Sequence, residues 1–371
     1  MKILQIIPSL GKGGAERLVL DICCELQNRT DIEVALVVFS AKDEYKFISK
    51  NISVSILDVK VIPSLTGQME VDVKALQSFI EIFKPDIIHS HLFESEMVLS
   101  QVSYPNALYF VHFHDNMKQF KQFSWNVFLS KENITNYFER KLVLDGYRGR
   151  KVSFIGISDH ACNFIKSNLP KHFSKFLLHN AINTARFSDG IKDRGNLQIL
   201  MIGSLVDKKG QDLAIDAVKI LHERSILVKL DLLGDGPNYK QLQNKISDYQ
   251  LSEHIILHGN VSYPEEYLNK ASVYLHTAIY EPFGLVFIEA MASGLPIVCT
   301  DAKGNRDLIV EGVNGFMVKK REPELLADKI EILLKDEVIW GEMSRNAFEM
   351  SKQCDIRMYT DKLLELYEKN L

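Results

Sequence analysis

Cysteine is scarce and unpatterned in this sequence. Cys23, Cys24, Cys162, Cys299 and Cys354 are the five among 371 residues, with no C-x-x-C pair and no Cys/His cluster at zinc spacing. That pattern gives no sign of a disulfide framework or a structural zinc site, and a reducing compartment fits best. Long apolar runs are also missing: nothing approaches the roughly 20 residues needed to span a bilayer. Met1–Pro8 reads as a short strand and turn, without the longer apolar region and cleavage site of an export signal. There is no basic excess either. A formal net charge of -4 argues against a general nucleic-acid binder, which is usually basic. What remains is ordinary for a soluble globular protein, with 46% hydrophobic and 25% charged residues. The length exceeds the usual size of a single core, so two domains are expected.

Apolar runs and helical patterns alternate along the chain, which predicts mostly parallel sheets. In the first half, strands are expected at 3–7, 33–39, 53–57, 86–89, 108–111, 152–157 and 175–179. Helices are expected at 15–27, near 71–83 and 94–102, and at 159–168. The loop Pro8-Ser-Leu-Gly-Lys-Gly-Gly14 joins the first strand to the first helix; its glycines suit either an anion at the helix N-terminus or a plain tight turn. His89, His91, His112 and His114 are placed at or just beyond strand ends. In an open parallel sheet the ligand crevice lies outside the carboxyl ends of the strands, which makes His114 a candidate functional residue. Residues 116–151 break the rhythm with Phe120, Phe123, Trp125, Phe128, Tyr137, Phe138 and Tyr147 among lysines and arginines. That segment reads as contact with an anionic lipid surface, as acceptor contact, or as helical packing with a solvated charged face. The polar stretch 188–196 reads as an interdomain linker. A second alternating series follows, with strands at 197–202, 227–233, 254–258, 273–276 and 296–300. The helical stretch 357–369 lies beyond the second sheet and is expected to return to the first domain.

The stretch Glu281-Pro-Phe-Gly-Leu-Val-Phe-Ile-Glu289 carries the most chemical information. Pro282 disfavours helix at Glu281, placing it in a loop. From Gly284 on, the sequence reads as a helix apolar almost all round, hence buried, with Glu289 its one charge. A buried carboxylate needs a partner. It is either a satisfied core ion pair or an acceptor for adjacent hydroxyls such as those of a ribose. The free amides of Gly284, Leu285 and Val286 suit a phosphate. Together these features describe a nucleotide site.

The ordered motifs resemble a known family. Gly203 and Gly210 with Lys209 between them, Gly234-Asp-Gly-Pro237, Glu281-Pro-Phe-Gly284 with Glu289-Ala290 and Pro296, and Asn314-Gly-Phe316 look like the donor half of retaining glycosyltransferases of family 4. Gly13-Gly14-Ala-Glu16, His114-Asp115 and Asn180-Ala-Ile-Asn183 match the first half. The resemblance implies an α/β GT-B fold: two doubly wound Rossmann-like domains facing each other across a cleft. The expected domains are 1–186 on the acceptor side and 187–350 on the nucleotide-sugar donor side, with 351–371 returning to the first.

The resemblance also implies roles. Glu289 accepts from the donor ribose, while Lys209 and the amides after Phe283, those of Gly284, Leu285 and Val286, hold the diphosphate leaving group. Glu281 faces the transferred sugar and stabilises positive charge at the anomeric carbon. His114 sits by that sugar, and Gly13 and Gly14 close over the phosphates. Gly203 and Gly234 belong to the donor site. The catalytic set is Glu281, His114 and Lys209. No metal and no cofactor is expected, and the sequence has no D-x-D carboxylate pair of the metal-dependent transferases. One departure stands out: the family commonly has an arginine after the glycine that ends the second domain's first strand, and this chain has Ser204. Either Lys208 or Arg306 substitutes, or phosphate is held more weakly. The expected activity is retaining, metal-independent transfer from a UDP- or GDP-linked sugar to a polysaccharide, oligosaccharide or glycolipid. The competing readings are a nucleotide-sugar epimerase, a phosphorylase, and a non-catalytic nucleotide-sugar-binding protein. The expected partners are the donor, a glycan or glycolipid acceptor and an anionic membrane surface, with no nucleic acid. The expected location is the cytoplasm or the inner face of the membrane.

Overall fold

The run Ile3-Leu-Gln-Ile-Ile7 is apolar on both sides of its pleat, the signature of a strand covered on both faces. In the computed structural model it is β1 (Lys2–Ile7), buried from Ile3 onward. Leu4 and Ile6 face one core, while Ile7 faces a smaller one with Val19, Leu20 and Leu36. The structure describes residues 1–62, 70–122, 130–187 and 197–371. These fall into two compact units, Met1–Asn180 with Ile356–Leu371, and Ala181–Asp355. The linker stretch 188–196 lies outside the described residues.

The first unit contains β2 (Glu33–Val38), β3 (Val54–Ile56), β4 (Lys60–Ile62), β5 (Glu70–Asp72), β6 (Ile87–His91), β7 (Leu108–Phe113), β8 (Val152–Gly156) and β9 (Ser174–Leu177). Its main sheet is parallel in the order β3-β2-β1-β6-β7-β8-β9. The chain order reverses beside β1, where a doubly wound sheet opens its crevice. Helix Gly14–Gln27 follows β1. Helix Ile356–Glu368 belongs to the same unit and buries Tyr359, Leu363 and Tyr367.

Three expectations need correction here. The helix expected from about 71 starts at Lys74, because Glu70–Asp72 instead pairs antiparallel with Lys60–Ile62. Val71, flanked by two acids, alternates at the strand period, and that local pattern wins. The strand expected at 86–89 runs on to His91, and that at 108–111 runs on to Phe113. His89 and His112 therefore lie inside strands, His91 ends its strand as expected, and all three are fully buried. In the segment 116–151, helix Lys131–Gly146 starts at the Ser130 cap. Phe120 packs on Phe93, Phe113 and Phe154, and Arg140 donates to the carbonyls of Phe120 and Asn168. Packing thus accounts for Phe120, Arg140 and the buried Tyr147, while Lys118 and Lys121 are exposed. Phe123, Trp125 and Phe128 lie outside the described residues.

The second unit contains β10 (Gln198–Ile202), β11 (Lys229–Leu233), β12 (Ile255–Gly259), β13 (Val273–His276), β14 (Ile297–Thr300) and β15 (Gly315–Val318). All its pairings are parallel, in the order β12-β11-β10-β13-β14-β15. This is the 3-2-1-4-5-6 winding of a dinucleotide-binding sheet, with its switch point between β10 and β13. One continuous core joins Ile199, Val218, Leu230, Leu275, Val298, Ile330 and Trp340. Among the described residues no helix is long and apolar enough to cross a membrane.

Candidate active site

At the switch point of the second unit, the loops leaving β10 and β13 bring together groups far apart in sequence. The 3-10 turn Asp207–Lys209 follows β10. The hydroxyl of buried Thr277, just after β13, donates to the Gly210 carbonyl at 2.6 Å, and the Ile279 amide donates to the Lys208 carbonyl at 2.8 Å. The guanidinium of Arg321 closes the same corner by donating to the Thr277 carbonyl. Glu281 is held from the other side: its amide donates to the Ala302 carbonyl and its carbonyl accepts from the Gly304 amide, both at 3.0 Å.

These staples set the side chains. Lys209 Nζ lies 2.5 Å from Glu281 Oε2, with the two side chains 17% and 10% exposed. His276 Nε2, at the end of β13, lies 3.2 Å from the same oxygen. Burial pushes the Glu281 carboxyl up, but the neighbouring His276 imidazole and the charge of Lys209 outweigh it and bring it down to about 2. Burial holds His276 below its ordinary value against the pull of Glu281. The arrangement is therefore a carboxylate, a neutral imidazole and an ammonium. An ammonium has three N–H donors, so Lys209 can serve Glu281 and an incoming anion together.

Helix Leu285–Ala292 starts beside this cluster. Its cap, Gly284, has φ +90°, and a Cβ there would meet the Phe287 ring at 2.5 Å. Only glycine fits that turn. No side chain caps the helix, and the first amides of a helix have no intrahelical acceptor. Leu285 and Val286 are half-buried there, and Phe283 is buried beneath. Glu289 is also half-buried, not fully buried as the sequence suggested. The helix is too short and too near the carboxyl edge of the sheet to be covered all round. The charge of Glu289 raises the buried Tyr274 hydroxyl, after burial itself and ahead of Glu281. Gly234 serves a close approach: a Cβ there would sit 2.1 Å from the Gly203 carbonyl oxygen. Ser204 is exposed, and its carbonyl accepts from Gln211 Nε2 at 3.0 Å. Of its two expected substitutes, Arg306 forms a two-pronged pair with Asp301 at 2.8 and 2.7 Å, while Lys208 is exposed.

The remaining predicted residues lie on the first unit. Gly13 caps helix Gly14–Gln27, and its amide and carbonyl are both bonded to the Tyr45 hydroxyl. The Glu16 carboxylate, raised by burial, folds over Gly13 and accepts from its own backbone amide. His114 lies just beyond β7 and is 8% exposed. Its Nε2 is 2.8 Å from His91 Nδ1, and His91 Nε2 is 2.8 Å from Gln5 Oε1. Burial lowers His114 and His89 to about 3, and holds His91 and His112 well below their ordinary value.

The sequence reading missed three participants. His276 was read only as the end of a strand; its signal was a polar residue closing an apolar run five positions before Glu281. Gln5 offered a similar signal, one amide inside an apolar strand. Arg321 ends the basic run Lys319-Lys-Arg321 after β15, which nothing local ties to Thr277.

Comparison with known proteins adds a consistent picture. Residues 183–353 match the family described as Glycosyl transferases group 1. An uncharacterized glycosyltransferase of Methanocaldococcus jannaschii is 29% identical over 211 residues, 56% of this chain and 57% of that protein's length. The N-acetylgalactosamine-N,N'-diacetylbacillosaminyl-diphospho-undecaprenol 4-alpha-N-acetylgalactosaminyltransferase of Campylobacter jejuni is 25% identical over 94% of both chains. The crystal structure of HepE from Anabaena in complex with UDP superposes with a TM-score of 0.81 over 100% of both chains at 22% identity. The fold is GT-B.

Proposed function

Because the second unit of this chain belongs to the glycosyl transferases group 1 family, we propose that the protein transfers a sugar from a nucleotide-sugar donor, UDP- or GDP-linked, to a polysaccharide, oligosaccharide or glycolipid acceptor. The observation that carries the proposal is the cluster of Lys209, Glu281 and His276 beside the uncapped start of helix Leu285–Ala292. It supplies the charges such a reaction needs. The ammonium and the helix amides stabilise the diphosphate as negative charge develops on it, an effect worth several kcal/mol, roughly, in a closed site. Glu281, ionised across the physiological range, stabilises positive charge at the anomeric carbon.

In this reading Glu289 accepts from the ribose hydroxyls and His114 from a hydroxyl of the transferred sugar. Transfer proceeds with retention and without a metal, since the lysine and amides neutralise the leaving group. In this reading the leaving phosphate, rather than a second carboxylate of a double displacement, takes the acceptor proton on the same face. Differential scanning fluorimetry against a panel of nucleotide sugars tests the donor assignment. A UDP- or GDP-sugar present at about 100 times its Kd should stabilise the native protein by about 2.7 kcal/mol. No shift with any nucleotide sugar would remove the proposal.

A further inference from the structure

Four histidines line one face of the first unit's sheet. His89 and His91 are two apart on β6, His112 and His114 two apart on and just beyond β7, and His91 pairs in register with His112. Their rings stack at centroid distances of 4.4 to 5.3 Å. Gln5 of β1 and Tyr367 of the C-terminal helix complete a chain of hydrogen bonds. His89 Nδ1 is 2.5 Å from the Tyr367 hydroxyl, and Gln5 Nε2 is 3.4 Å from it. Gln5 Oε1 then meets His91, and His91 meets His114.

The column is poorly shaped for a metal ion. Imidazole lone pairs lie in the ring plane, and three neighbouring pairs stack at only 26°, 13° and 26°, so their nitrogens run alongside one another. Both nitrogens of His91 are already engaged.

The same contacts dictate where the protons are. A neutral imidazole has one N–H and one bare nitrogen, and burial keeps these rings neutral. With the Gln5 amide nitrogen towards Tyr367, its oxygen can only accept, so His91 Nε2 carries the proton. His91 Nδ1 is then bare and accepts from His114 Nε2–H. His114 Nδ1 is left as a bare lone pair, and it is buried with no partner among the described residues. Turning the Gln5 amide over would reverse every proton in the chain. We propose that Gln5 and His91 are positioning residues that lock His114 in its Nε2–H form, so that its Nδ1 accepts a hydrogen bond from a hydroxyl of the sugar substrate. This rests on the reading of His114 as a group used in transfer, and adds which atom acts and what holds it. A buried acceptor left unpaired is unfavourable, and a substrate hydroxyl would relieve that on binding.

Nitrogen-15 NMR of the histidine side chains in the unmutated protein tests the assignment, with the His114 signals identified by their loss in His114→Ala. The proposal requires a protonated Nε2 and a pyridine-type Nδ1. Gln5→Leu and His91→Phe should each lower kcat about tenfold, the worth of one hydrogen bond, with the donor KM within about twofold. A protonated Nδ1 on His114 in the unmutated protein overturns the proposal, as does full kcat in both folded variants. If His114→Ala transfers sugar at the full rate while the Nε2–H form is observed, the functional reading of His114 fails and the catalytic purpose of the chain fails with it.

Discussion

Replacing Lys209 by Met removes the ammonium from a carboxylate whose side chain is 10% exposed. Glu281 would keep His276, itself neutral, as its remaining partner. Stranding a buried charge in this way costs about 3–5 kcal/mol. The carboxyl gives a second measure: a group brought from 4.5 to about 2 represents about 3 kcal/mol at about 1.4 kcal/mol per pH unit. His276 supplies part of that, so the lower end applies. For a unit of this size about 1 kcal/mol moves the Tm by about 2–4 °C, and Lys209→Met should lower it by about 6–12 °C. The double variant Lys209→Met/Glu281→Gln no longer buries a lone charge. It should be more stable than the sum of the single losses by about 2 kcal/mol. The pH dependence has a definite sign. A depressed carboxyl contributes stability that is fully present above about pH 4.5 and lost as pH falls through about 2. The advantage of the native pair over the double variant should therefore be flat above about pH 5 and shrink below it. Scanning calorimetry or urea unfolding of the four proteins measures this. Losses that add to within about 0.5 kcal/mol would refute the reasoning, because independent sites add.

Glu289→Ala should weaken UDP or GDP binding about tenfold to a hundredfold, the worth of hydrogen bonds to a charged group; calorimetric titration with unchanged affinity would remove the ribose role. Saturating EDTA should leave transfer activity intact, and a loss restored by manganese would show that the leaving group is neutralised by a metal. The exposed Lys118 and Lys121 test the membrane reading. If that segment meets an anionic surface, Lys118→Glu/Lys121→Glu should reduce binding to phosphatidylserine vesicles, with each lysine contributing about 1 kcal/mol, and unchanged sedimentation with vesicles would remove the membrane reading.

Much of the scaffold was legible because parallel strands buried on both faces read as plain apolar runs. Ile3–Ile7 and Val273–His276 needed nothing else, and of the two residues able to cap the helix expected at 159–168, Ser158 or Asp159, the structure uses Ser158, bonded to the Ala161 amide. The three-residue strand Glu70–Asp72 offers a single polar–apolar–polar alternation, which in the sequence is outweighed by the longer helical pattern that follows it. The histidines misled for a related reason. In His89-Ser-His91 and His112-Phe-His114 the polar residues alternate at the strand period, but histidine normally signals an end or a surface, and only their stacking makes them core. At the site, the residue types on one continuous segment were readable. The contact of Lys209 with Glu281 was not, because it spans 72 positions and depends on which loops the sheet order places side by side. Glu289 shows the converse limit: an apolar sequence around a charge reports composition, whereas exposure depends on where the helix ends.

The central claim is that Glu281, held ionised by Lys209 and His276, acts on the sugar while other groups hold the nucleotide. Its direct test is turnover of Glu281→Gln, measured as donor hydrolysis or transfer, alongside calorimetric donor affinity. The account predicts a fall in kcat of about 10²- to 10³-fold, as for removal of other preorganised charge stabilisers, with donor Kd within a few fold of the unmutated protein. Unchanged turnover with a folded variant would contradict it.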